Sequence, residues 1–247
     1  CLLAPGEGPA QCGGPHLIHD PRYEFEAYDL LLSQQSLAAV GNLDGRSGLD
    51  AVFAVAPIWW PNVQVFLNTG NGGLVRTLYA IPSGTSTTAA TLGDVERDGD
   101  FDIIVVREGP NAPLFLINDG QGRFTTEPVG SRIGDLMQAN SVCCADFDRD
   151  GWDDLFFGMR GNGHCRLYLN DQRGRFVDVS FTNLPGAPQG CAQNVAAADL
   201  DGDSDMDIAL AMGGLCGAKQ ENVVLINDGR GVLSPFVLAG IRRWSKD

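Results

Sequence analysis

The residues in this sequence whose types and spacing could do chemistry are aspartates gathered into nine-residue loops. The stretch Asp199-Leu-Asp-Gly-Asp-Ser-Asp-Met-Asp207 places carboxylates at its first, third, fifth and ninth positions and runs straight into the apolar Ile208-Ala-Leu-Ala-Met212. Carboxylates held this close repel one another unless a cation sits among them. Ca²⁺ is the natural guest: it accepts six to eight oxygens in flexible geometry, and alternate Asp residues can surround it on a loop with Gly where the backbone must turn.

The same pattern recurs at a fixed spacing. It stands 53 residues earlier as Asp146-Phe-Asp-Arg-Asp-Gly-Trp-Asp-Asp154 and 52 residues before that as Asp94-Val-Glu-Arg-Asp-Gly-Asp-Phe-Asp102. A further step of 52 reaches Asn42-Leu-Asp-Gly-Arg-Ser-Gly-Leu-Asp50. Each loop is followed by an apolar run: Ala51-Val-Phe53, Ile103-Ile-Val-Val106 and Leu155-Phe-Phe157 in the first three. A period near 50 residues is the mark of a repeat architecture, in which each repeat is one supersecondary unit.

The elements that position these loops follow from the patterning. A short apolar strand leads into each loop (Leu37 to Val40, Ala89 to Leu92, Ser141 to Ala145, Val195 to Ala198), and a wholly apolar strand leaves it. The second strand is expected to be buried on both faces. A third strand ends in a turn, as in Val63-Gln-Val-Phe-Leu-Asn-Thr-Gly70 and Val223-Val-Leu-Ile-Asn-Asp-Gly229, where Asn, Asp and Gly supply the positive φ of a hairpin. A fourth strand, such as Arg175-Phe-Val-Asp-Val179 or Leu233 to Leu238, completes the unit.

Four antiparallel strands per period predict an all-β fold, a β-propeller of four-stranded blades, in preference to a sandwich, which needs no strict repeat. The blades are expected at about 36–86, 87–138, 139–191 and 192–241, after a Gly/Pro-rich arm at 1–15 and an outer half-blade at 16–35. Four blades and a half leave sheet edges open, so a partner surface, or another subunit completing or capping the propeller, is expected at the ends.

These residues resemble the FG-GAP repeats of integrin α-subunit propellers and related repeat proteins. The resemblance rests on the Asp-x-Asp-x-Asp-Gly-x-x-Asp loop, the apolar strand after it and the later Leu-x-Asn-Asp-Gly-x-Gly-x-Phe turn, and it covers 36–240 well and 16–32 more weakly. It implies loops that bind Ca²⁺ on one face of the disc, about three ions in all. The ligands it implies are Asp94, Glu96, Asp98 and Asp102; Asp146, Asp148, Asp150 and Asp154; and Asp199, Asp201, Asp203 and Asp207, with a backbone carbonyl at each seventh place. Glu96 lengthens one ligand, and Ser204 replaces the usual Gly. In the first loop Arg46 stands at the third carboxylate's place, and a guanidinium can pair with Asp44 and Asp50 in the metal's stead, so no ion is expected there. The bland reading of the other three is a metal-free turn held by Asp side-chain to backbone bonds.

A net charge of −14 excludes a nucleic-acid backbone as partner. No run of 18 apolar residues exists, so no helix spanning a membrane is expected. Seven cysteines without paired C-x-x-C spacing suit disulfides in an oxidising compartment (extracellular, cell surface or periplasmic). Cys143 and Cys144 either form a vicinal bridge or pair separately with Cys165, Cys191 or Cys216. Cys1 at the start is what a lipid-anchored mature protein would show, and an arbitrary boundary accounts for it equally.

The face opposite the acidic loops should carry the variable loops, including Ile58-Trp-Trp-Pro61 and Arg160-Gly-Asn-Gly-His-Cys165. Trp59 and Trp60 could stack on a sugar or anchor a protein, or pack on the neighbouring blade; Arg160 and His164 could touch the same ligand. Three His, none beside a nucleophile or paired acid, give no catalytic constellation. The expected function is a non-catalytic, calcium-stabilised binding or scaffold module for protein or glycan partners, of the lectin-like or cell-adhesion kind. The alternative is a lyase- or dehydratase-type enzyme on a propeller scaffold.

Overall fold

A computed structural model of the chain describes residues 37–54, 63–71, 73–79, 87–107, 112–127, 130–134, 138–161, 163–187, 189–213 and 221–236. All lie in the unit Ser33–Asp247. The arm at 1–15, the half-blade at 16–35, His16, His19, Trp59 and Trp60 lie outside the described residues.

The described residues form sixteen strands in four antiparallel four-stranded sheets. The first sheet is β1 Leu37–Gly41, β2 Asp50–Ala54, β3 Val63–Asn68 and β4 Leu74–Tyr79. The second is β5 Thr87–Gly93, β6 Asp102–Arg107, β7 Leu114–Asn118 and β8 Phe124–Thr126. The third is β9 Ala139–Ala145, β10 Asp154–Met159, β11 Arg166–Asn170 and β12 Phe176–Asp178, followed by the short helix α1 Ser180–Asn183. The fourth is β13 Ala192–Ala198, β14 Asp207–Met212, β15 Val223–Asn227 and β16 Leu233–Pro235. In each sheet the strands lie in chain order, as in a propeller blade. The leading strands stand in a row, β1 beside β5, β5 beside β9 and β9 beside β13.

The core lies between blades, which is why the second strands are apolar after their leading Asp, up to Arg107 at the end of β6. In β6, Ile103 and Val105 pack with Leu43, Val52, Val63 and Val65 of the first blade. Their alternates Ile104 and Val106 pack with Leu155, Phe157 and Tyr168 of the third. Phe156 points the other way, onto Ile208, Leu210 and Leu225 of the fourth blade. Period-two alternation thus serves two interfaces at once, and β6 and β10 are buried at every position.

Three leading strands begin earlier than the apolar pattern predicts. In β5 and β9 the added residues include polar ones that are buried: Thr87, Thr88 and Asn140 are each below 10% exposed. Asn140 explains how, since its Nδ2 donates to the carbonyls of Ala192 (3.0 Å) and Gln193 (3.3 Å) on the next blade. A buried amide with partners costs far less than one without.

The cysteine expectation needs correcting. Cys143, Cys144 and Cys165 are free thiols, so neither a vicinal bridge nor pairing among these three occurs. Successive strand residues face opposite sides. Cys143 accordingly enters the core shared with the fourth blade while Cys144 packs against the core shared with the second. Burial raises both thiols well above the usual range and lifts Cys165 to about 11. Cys191 is disulfide-bonded.

Candidate metal centre

Each acidic loop closes the hairpin between the first two strands of its blade, and its ninth residue re-enters the ladder. Asp50 pairs with Gly41, Asp102 with Gly93, Asp154 with Ala145 and Asp207 with Ala198. All four of these aspartates are buried to 1% exposure or less. Each uses both oxygens as backbone acceptors. Asp154 takes the N–H of Phe147 (2.9 Å) and of Asn170 (2.8 Å), and Asp102 takes those of Val95 (3.1 Å) and Asn118 (2.9 Å). Asp207 and Asp50 repeat the pair with Leu200 and Asn227 and with Leu43 and Asn68.

The first residue of each loop bends the chain around itself. Asp146 accepts the N–H of Asp150 (3.1 Å) and Gly151 (2.9 Å); Asp94 accepts those of Asp98 and Gly99, both at 3.0 Å. Asp199 accepts those of Gly202 (2.7 Å) and Ser204 (3.1 Å). This curvature puts the sixth residue in the left-handed region, where Gly99 and Gly151 sit at φ +96° and +86° and Ser204 at +72°. A side chain there costs about 1 kcal/mol. Ser204→Gly is therefore expected to stabilise the chain by about 0.5–1 kcal/mol, read as a higher denaturant midpoint with an unchanged slope.

In the third and fourth loops the curvature gathers carboxylates. Asp146, Asp148 and Asp154, and separately Asp199, Asp201 and Asp207, each offer an oxygen within 4.8 Å of the others. The fifth-place carboxylates stand outside these trios. Asp150 accepts the N–H of Trp152 and a bond from Gln172 Nε2, both at 2.9 Å, and Asp203 accepts the N–H of Asp205 at 2.9 Å. Burial pushes Asp154 up to about 7, against the pull of its two backbone donors, and burial followed by Asp150 raises Asp148. Three carboxylate oxygens held this close are a cluster that a divalent cation would relieve, so both trios fit Ca²⁺.

The other two loops differ. In the first, Arg46 Nε lies 3.6 Å from Asp44 Oδ2, and the Asn42 amide donates to the Arg46 carbonyl at 2.9 Å, so the loop's own cation faces its third-place carboxylate. In the second, Asp94, Glu96 and Asp102 are not brought together as a trio among the described residues. The Glu96 carboxylate is turned onto the guanidinium of Arg132. Burial again pushes Asp102 up to about 7.

Neighbouring loops are joined. The Arg97 guanidinium lies 5.6 Å from the centre of the Trp152 ring, so Trp152 meets the preceding blade rather than packing within its own loop. Arg149 is ion-paired with Asp205 and donates to the Asp203 carbonyl at 3.0 Å. The Asp94 N–H donates to Asp153 at 2.8 Å.

The Asn that ends each third strand does more than shape a turn. Asn118 Nδ2 donates to the Leu43 carbonyl at 2.8 Å, Asn170 to that of Val95 at 3.1 Å and Asn227 to that of Phe147 at 2.8 Å. Every acceptor is the second residue of the preceding blade's acidic loop. That residue is also apolar and buried in the first three loops, with Leu43, Val95 and Phe147 at 1% exposure or less, whereas Leu200 in the fourth is 49% exposed. The repeat of Asn at this place was visible in the sequence, but its partner in another blade was not.

At the opposite end of the third blade, Arg160 follows β10, and exposed His164 forms an isolated bridge with Gln189. The two belong to the loop between the second and third strands, away from the acidic loops, as strand order requires.

A family model described as FG-GAP-like repeat matches residues 97–157 and 146–210. Cartilage acidic protein 1 of Mus musculus is 30% identical over 129 residues, half of this chain, and its Homo sapiens counterpart matches to the same extent. The match spans 19% of those relatives' own length. Among solved structures, one describing recognition of non-reducing terminal N-acetylglucosamine by an Agrocybe aegerita lectin aligns with a TM-score of 0.49 at 21% identity, covering 79% of this chain and 50% of that one. The V. cholerae biofilm matrix protein Bap1 aligns with a TM-score of 0.43 at 17% identity, over 79% of this chain and 27% of that one. FG-GAP-like repeats are thus detected at two positions in this chain, together running from within its second acidic loop through its fourth, over residues 97–210.

Proposed function

We propose that the chain is a calcium-stabilised, non-catalytic binding or scaffold module for protein or glycan partners, working outside the cytoplasm. The observation that carries this is the division of each blade into two ends. At one end the acidic loops are tied into the framework through the ninth-place aspartates and the Asn of the next blade, and the third and fourth loops each gather three carboxylates. Such a site is built to hold an ion and stiffen a blade, with Asp146, Asp148 and Asp154 and Asp199, Asp201 and Asp207 as ligands. Asp150 and Asp203 would have to turn inward to join them.

The opposite end carries loops of unlike length and composition, with Arg160, His164 and, by sequence, Trp59 and Trp60. Variable loops on a rigid scaffold are where recognition is placed. Cys191, being disulfide-bonded, supports an oxidising location, extracellular, cell-surface or periplasmic. Among the described residues no helix is long and apolar enough to cross a membrane. The exposed Leu200, unlike its buried counterparts, supports a further protein surface packed against the fourth blade.

The test is binding of the full chain to a glycan array and to candidate matrix proteins in calcium. The double variant Trp59→Ala, Trp60→Ala is expected to lose at least about 10-fold in affinity, equal to about 1.4 kcal/mol, with an unchanged melting curve. Turnover of a sugar substrate by the wild type would favour the enzyme reading instead.

A further inference from the structure

We infer that the second acidic loop is closed by a glutamate–guanidinium pair instead of an ion, so that the chain takes up two calcium ions where its three intact-looking loops suggest three. This rests on the calcium reading of the third and fourth loops.

The three loops align position for position, which makes the comparison internal. The third and fourth bring their first-, third- and ninth-place carboxylates within 4.8 Å of one another. The second has the same first and ninth residues, Asp94 and Asp102, with the backbone bonds that Asp146 and Asp154 make in the third. It differs at the third place, where Glu96 carries one more methylene than Asp148 or Asp201. That extra reach takes the carboxylate out of the loop and onto Arg132.

Arg132 is built into the connection from the second blade to the third and is 8% exposed. Its Nε donates to Glu127 at 2.6 Å, its Nη1 to the Gly174 carbonyl at 2.9 Å, and its Nη2 to Glu127 at 2.7 Å and to Glu96. The guanidinium lies 5.9 Å from the Phe115 ring centre, and the Arg132 carbonyl accepts the Phe176 N–H at 2.9 Å. It is therefore fixed to both blades and cannot follow Glu96 back into the loop. Pulling Glu96 away to serve an ion would leave a buried guanidinium short of one carboxylate partner, a cost a calcium ligand in the third or fourth loop does not meet. The connection after the third blade, 179–191, contains no Arg or Lys, so nothing comparable draws Asp148 out.

The experiment counts ions. The full chain is stripped with chelator, dialysed to equilibrium at a free calcium of about 1 mM, where extracellular modules bind, and its ions are counted per folded chain. Two are expected for wild type and for Asp94→Asn, and one for each of Asp146→Asn and Asp199→Asn. Glu96→Asp, too short to reach Arg132, is expected to bind a third. Near-ultraviolet circular dichroism and the melting transition establish that each variant is folded before it is counted. Three ions in wild type, or the loss of one on Asp94→Asn, overturns the inference. A count of two in folded Glu96→Asp overturns the part given to Arg132. No ion in any protein overturns the calcium reading beneath it.

Discussion

Excess chelator is expected to lower the melting temperature of this chain by about 10–20 °C. An ion that binds only the folded state at 100 times its dissociation constant stabilises by about 2.7 kcal/mol, so two independent ions contribute about 5 kcal/mol. For a chain of this size each kcal/mol moves the midpoint by roughly 2–4 °C. The sign follows from the loops themselves. The third and fourth each hold three carboxylates within 4.8 Å, so the ion-free folded state keeps mutually repelling groups together, and in the third burial has also pushed Asp154 up to about 7. Calcium removes that penalty, and the unfolded chain never has it. Asp146→Asn and Asp199→Asn should each give about half of the fall in calcium and leave the chelated midpoint much less changed. Differential scanning calorimetry with calcium, with chelator and with magnesium checks this. Superimposable curves with and without chelator would mean that the loops are metal-free turns.

The framework was legible in the sequence because a repeat shows each rule several times. Asp at fixed places in a loop, an apolar run after it and an Asn at the turn before the last strand recur in every repeat of about 50 residues, so chance at one copy is checked by the others. Periodicity of this kind reports what neighbours in the chain do. It is silent about partners far away in sequence, and the features missed are of that kind. Asn140 lies buried in a leading strand, one residue from its start, although it is polar, because its amide is satisfied 52 residues on. Glu96 reads as a ligand one methylene too long, and only the fold places Arg132 beside it, 36 residues later. Cys143 and Cys144 read as disulfide candidates, since adjacency in the sequence does not say that strand geometry sends them into two separate cores. The second loop residue is the converse case. An apolar Leu43, Val95 or Phe147 among aspartates looks incidental, yet it is the plug on which the next blade sits, and Leu200 stays exposed for want of one among the described residues.

Asn170→Ala is expected to destabilise the chain by about 3–5 kcal/mol, while Asn68→Ala costs no more than about 1. Both side chains occupy the same place in their blades, and both residues donate a backbone N–H to the ninth-place aspartate. They differ in what the amide reaches. Asn170 is 6% exposed and spans two blades: its Nδ2 donates to Val95 of the preceding blade at 3.1 Å and to Asp153 at 3.2 Å, and its Oδ1 accepts the Gly174 N–H at 3.1 Å. Truncation strands two carbonyls and an N–H where water has little access, and each unsatisfied buried group costs about 1–3 kcal/mol. Among the described residues Asn68 meets only its own blade, donating to Leu49 at 3.3 Å and accepting from Gly70 at 2.8 Å, near solvent that can replace it. Asn170→Asp is expected to fall with the alanine variant, since it keeps the shape and the acceptor but has no donor for the Val95 carbonyl. Urea denaturation of the three variants in saturating calcium measures the difference. Equal losses for Asn170→Ala and Asn68→Ala would show that the blades are held by their apolar cores alone and that the repeated Asn serves only the turn.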